Sequence, residues 1–71
     1  MKEYVAVFER TSTGWSDYVS DLPGLGVAAK TLPQTEQLLR EAIEMHIAGM
    51  REDGLPIPKP QTQVMRLAIP A

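Results

Sequence analysis

Between Thr31 and Gly54 the chain carries one long segment with a start signal, an apolar stripe and a stop signal, and the rest must fold around it. Thr31-Leu32-Pro33-Gln34 has the form of a capping box: the threonine hydroxyl accepts from an orphan backbone N–H, and the glutamine side chain reaches back. Pro33 falls in the first turn, where its missing N–H costs nothing. Leu38, Leu39, Ala42, Ile43, His46, Ile47 and Met50 then recur at helical spacing, while Glu36, Gln37, Arg40, Glu41, Glu44 and Arg51 lie mostly off that stripe. Gly54 supplies the stop, backed by Pro56, Pro58 and Pro60, which cannot continue a helix. A helix from Pro33 to Asp53 would be about 30 Å long at ~1.5 Å per residue, enough to cross a small sheet diagonally.

The flanking segments read as strands. Tyr4 to Phe8 is a short apolar run rich in β-branched and aromatic residues, with Tyr4, Ala6 and Phe8 on one side and Val5 and Val7 on the other. Thr11 to Gly14 is a turn cluster, and Trp15 to Val19 the second strand. A two-residue Thr13-Gly14 loop would set Arg10 opposite Asp17 and Phe8 opposite Val19. A three-residue loop would instead oppose Glu9 and Asp17, a like-charge pair, so the first register is preferred. Asp21-Leu22-Pro23-Gly24 turns the chain, Pro23 fixing φ and Gly24 permitting φ > 0, before a short third strand from Leu25 to Ala29. Thr62 to Ile69 alternates as a fourth strand, Met65, Leu67 and Ile69 facing one way and Val64, Arg66 and Ala68 the other. The order β-β-β-α-β is α+β, a three-stranded antiparallel meander with one helix on one face. A right-handed crossover would lay strand four parallel to strand one.

Seventy-one residues make a single domain, residues 1–71, with a small core, and the absence of cysteine leaves association as the common remaining support. One helix covers one face of strand one, so its other apolar face calls for loops, a second copy or a partner. A homo-oligomer is therefore expected. Net charge is −2 with pI about 5.2, which provides no positive field for nucleic acid or anionic membranes. No apolar run approaches the ~18 residues of a membrane span, and Met1-Lys2-Glu3 opens straight into a strand, so a cytoplasmic protein is expected.

The run Asp21-Leu22-Pro23-Gly24-Leu25-Gly26-Val27-Ala28-Ala29-Lys30-Thr31-Leu32, preceded by Gly14-Trp15-Ser16-Asp17-Tyr18-Val19 and followed by Glu52-Asp53-Gly54-Leu55-Pro56-Ile57-Pro58, resembles the HicB-like antitoxin family. The likeness covers roughly residues 4 to 60, and its specificity comes from the order and spacing of pieces that are individually ordinary turns. It implies a truncated ribonuclease-H-like fold. It also implies a non-enzymatic module that occludes a HicA-like toxin, a small mRNA-cleaving ribonuclease. Leu25 stands where the family often has Cys, which fits a buried apolar site. Many family members add a C-terminal ribbon-helix-helix or helix-turn-helix segment that binds the operator. This sequence stops two residues after the fourth strand, so direct DNA binding is not expected.

Residue by residue, no catalytic constellation emerges. A two-metal nuclease needs convergent carboxylates. Glu9, Asp17, Asp21, Glu41 and Glu44 are the candidates, but strand four has no acid and Asp17 has Arg10 as a plausible partner, so a solvated-face reading is preferred. His46 is the only histidine, placed within the stripe as a packed or edge-of-core residue. Ser12, Ser16 and Ser20 lack a nucleophile elbow, and Gly24-x-Gly26 lacks a third glycine and a helix directly behind it. No cofactor or metal is expected. The rivals to the antitoxin reading are a purely structural oligomer and a hydrolase with a degraded ribonuclease-H site. For partner contact the candidates are Trp15 and Tyr18, since large aromatics dominate hot spots; for Trp15 the competing reading is core packing.

Overall fold

The computed structural model describes residues 2–71. Its elements are β1 (Ala6–Arg10), β2 (Trp15–Val19), β3 (Ala28–Ala29) and α1 (Leu32–Glu52), with the strands in the antiparallel order β1-β2-β3. Val19, Leu22 and Leu39 are the fully buried apolar residues, and Tyr4, Ala6, Phe8, Leu25, Val27 and Ile43 pack around them. Alternation along β1 divides it into the two sides read from the sequence, and the structure assigns Tyr4, Ala6 and Phe8 to the side that packs on the core with α1, which the sequence leaves open, and Val5 and Val7 to the opposite face.

The helix begins where its cap predicts. The Thr31 side chain accepts from the Gln34 N–H at 3.3 Å, and Thr31 is extended at φ −122° and ψ 156°. At the other end the Gly54 N–H donates to the Arg51 carbonyl and the Leu55 N–H to the Met50 carbonyl, at 3.1 and 2.9 Å. With Gly54 at φ +68°, this is a Schellman close, which satisfies carbonyls the helix would otherwise leave open. His46 departs from expectation, because it is exposed. The helix of 21 residues is about 32 Å long, against roughly 17 Å for a five-residue strand. The helix is thus longer than the strands it packs on; Ile43, Ile47 and Met50 in its second half are half-buried, whereas Met45, off that stripe, is 75% exposed.

The hairpin register also differs. Phe8 faces Asp17 and Arg10 faces Trp15, and the Thr11 N–H donates to the Gly14 carbonyl at 2.8 Å. The two-residue loop is thus Ser12-Thr13, one step earlier than Thr13-Gly14. Gly14 explains why. A Cβ there would collide with the Ala29 carbonyl and lie 2.8 Å from the Lys30 Cα, so Gly14 serves the close passage of the chain after β3.

The third strand is Ala28–Ala29 rather than Leu25 to Ala29. Asp17 accounts for the shortening: its Oδ1 accepts from the Val27 N–H at 2.8 Å, while its own N–H donates to the Val27 carbonyl at 3.1 Å. A side chain has taken the place of a ladder bond. Gly26 permits the approach, since a Cβ would sit 2.5 Å from the Asp17 carbonyl oxygen. The Pro23-Gly24 turn forms as expected, with Gly24 at φ +82° and the Leu25 N–H on the Leu22 carbonyl.

The fourth strand, expected over Thr62 to Ile69, does not form within the chain, and the ribonuclease-H-like arrangement is not completed. The approach to it is nevertheless held. The Tyr4 hydroxyl donates to the Pro58 carbonyl at 2.6 Å, and Asp21 Oδ2 accepts from the Gln61 and Thr62 N–H groups at 3.0 and 3.2 Å. Beyond Thr62 every residue is exposed. A strand is defined by its neighbour, and the alternating pattern alone does not provide one.

Candidate partner-binding surface

Trp15 and Tyr18 both lie on β2 but point to opposite sides of the sheet, three positions apart on a two-residue period. Trp15 shares the helix-facing side with Asp17 and Val19. It is half-buried beneath Arg10, whose guanidinium carbon lies 5.4 Å from the ring centroid. Arg10, Thr11, Ser12, Trp15 and Lys30 together line a groove of about 270 Å³ at the hairpin end. Trp15 thus sits at the hairpin end of the central strand, under Arg10, with Lys30 lining the same groove.

Tyr18 stands on the open side, 47% exposed. It pairs with Val7 across the hairpin, and the Ser20 N–H to Val5 carbonyl bond carries the ladder one residue further. Val5, Val7 and Tyr18 consequently form one apolar strip, with Ser16 beside it. Elsewhere Leu38 and Met45 on α1 and Leu55 after it are exposed at 45%, 75% and 52%. These apolar surfaces are what the molecule offers a partner.

The acidic residues do not converge. Glu9 and Asp17 occupy opposite sheet faces, Glu41 and Glu44 are exposed on α1, and Asp21 is bound to the backbone at Gln61 and Thr62. Those two N–H groups, Gln61 first, hold the Asp21 carboxyl below the ordinary carboxylate range. Asp17 is 8% exposed, and its Oδ2 is buried without a hydrogen-bond partner among the described residues. Its ordering role is toward Val27 rather than Arg10, which the register places opposite Trp15. Among the described residues, no group of three or more His, Asp or Glu side chains is placed to hold a metal ion, and no helix there is long and apolar enough to cross a membrane.

Three residues important to this arrangement escape the sequence patterns. Leu22 and Thr35 are buried at 1% and 0% exposure, the first hidden in a turn motif and the second bonding the Thr31 carbonyl through Oγ1 at 2.7 Å. Asp21 reads as a turn former but reaches forty residues along the chain. Long-range hydrogen bonds of this kind leave no local signal.

Two comparisons bear on identity. The model of the HicB-like antitoxin of bacterial toxin-antitoxin systems matches residues 4–69, which include every strand, the helix and the C-terminal segment. An uncharacterized 14.9 kDa protein from the rep-hol intergenic region of Haemophilus phage HP1 (strain HP1c1) is 38% identical over 56 residues, covering 79% of this chain and 42% of that protein. The chain thus spans less than half the length of this relative. No solved structure matches it. On the family match across nearly the whole sequence, the chain belongs to the HicB-like antitoxin family.

Proposed function

We propose that this chain is a protein-binding module, without catalysis of its own, that neutralises a HicA-type mRNA-cleaving toxin by covering it, and that it acts in the cytoplasm as a homo-oligomer. The observation that carries the reading is the family match over residues 4–69. The surface supports it in kind. The chain has 9 acidic against 7 basic residues, a balance suited to a basic, RNA-binding toxin surface, which would speed encounter. Exposed Tyr18, beside half-buried Val5 and Val7, supplies anchor area, on which affinity depends more than on rim charge.

Inspection of the neighbouring open reading frame for a small basic chain, followed by co-expression with it, tests the proposal. Expected is a complex that survives gel filtration and suppresses mRNA cleavage by the purified toxin. Failure of the neighbouring chain to bind, with toxin activity unchanged at excess antitoxin, would remove the toxin-binding role.

A further inference from the structure

Val64, Met65, Leu67 and Ile69 are 69–72% exposed, although their segment alternates like a strand. Among the described residues, no hydrogen bond joins residues 63–71 to the rest of the chain. The body of the molecule has the matching deficiency. β1 pairs only with β2, and the Ser20 to Val5 and Thr11 to Gly14 bonds show that odd-numbered residues of β1 face β2. The N–H and C=O groups of Ala6, Phe8 and Arg10 are therefore directed to a free edge. Tyr4 to Arg10 and Gln63 to Ile69 are segments of equal length, each about 23 Å when extended at ~3.3 Å per residue.

We infer that residues 63–69 form a strand on the β1 edge of a second copy of this chain, the two copies exchanging segments reciprocally. The inference rests on the homo-oligomer in the reading above and specifies its interface. Within one chain the Tyr4 and Asp21 bonds bring the linker to the start of β1 as far as Thr62, yet residues 63–71 remain exposed and unpaired with that edge, and Pro56, Pro58 and Pro60 favour an extended path for the segment that leads to them. A second copy offers the same edge and the same unpaired segment, so one two-fold arrangement satisfies both twice, and short stiff hinges favour such exchange.

The full chain, prepared as an equal mixture of ¹³C,¹⁵N-labelled and unlabelled copies, tests this by isotope-filtered nuclear Overhauser contacts together with sedimentation equilibrium and amide exchange. A dimer is expected, with contacts between the β1 residues of one copy and residues 63–69 of the other. The Ala6 and Phe8 amides should exchange on the order of 100-fold more slowly than at an open edge. Leu67→Pro, which removes a donor from the strand, should abolish that protection while α1 remains folded by circular dichroism. A dimer with no contact between β1 and residues 63–69 of different copies overturns the exchange and leaves the oligomer standing. A monomer overturns both if the edge amides are open; if they are protected by intrachain contacts alone, the segment closes its own sheet and the exchange is equally refuted.

Discussion

Asp17 shows how much a single side chain decides in a domain this small. Its Oδ1 holds the Val27 N–H where a sheet would otherwise use a carbonyl, so Asp17→Ala leaves that donor unsatisfied. The expected cost is about 1–3 kcal/mol. Asp17→Asn keeps an acceptor and should lose less, and urea denaturation midpoints for both variants check the order. Equal midpoints for Asp17→Ala and the native protein would mean that the bond carries no weight. Gly14→Ala should also destabilise, since the colliding atoms at Ala29 and Lys30 are backbone and cannot swing away. From the sequence Gly14 and Asp17 are legible only as a turn residue and an ion-pair candidate. Turn chemistry is local and can be read, whereas the passage of one backbone segment against another is set by the register of the whole hairpin.

At the scale of elements the helix was the most legible part, because its signals are all within one or two turns of the residues they act on. Thr31→Ala removes the one side-chain cap and should cost about 1 kcal/mol. Gly54→Val forces a β-branched residue to φ +68°, which should cost about 1–2 kcal/mol. Thermal denaturation of the two variants measures both effects, and unchanged transitions would mean the helix ends carry no stability. The segment after α1 was legible in pattern but not in pairing. Asp21 holds its start, and because its carboxyl is depressed in the folded chain, the contribution is fully present above the ordinary carboxylate value of ~3.9 and is lost as pH falls through the lower folded value. The Gln61 and Thr62 amide resonances should accordingly move together below about pH 4. Asp21→Asn should remove that titration, and resonances that titrate unchanged in the variant would assign it to another group.

For the molecule as a whole, three fully buried apolar residues among those described make a slight core, while exposed Tyr18 beside half-buried Val5 and Val7, and the four exposed apolar residues after Thr62, present surface that calls for cover. Trp15 and Tyr18, equivalent as aromatic strand residues in the sequence, become distinguishable only through the sheet. Trp15 lies on the helix side under Arg10, and Tyr18 on the open side. If the toxin seats on the open face, Tyr18→Ala should change folding stability by no more than about 0.5–1 kcal/mol yet weaken toxin binding by roughly tenfold or more, the effect of a hot spot above about 1.4 kcal/mol. Trp15→Ala should do the reverse in part: it loses stability through its half-buried ring and the Arg10 contact, with a smaller effect on binding per folded molecule. Calorimetric titration of each variant with toxin, alongside its denaturation curve, separates the two roles. Tyr18→Ala with native affinity would exclude that strip as the toxin contact, and a loss of binding confined to Trp15→Ala, with stability retained, would move the interface to the groove beside Arg10 and Lys30.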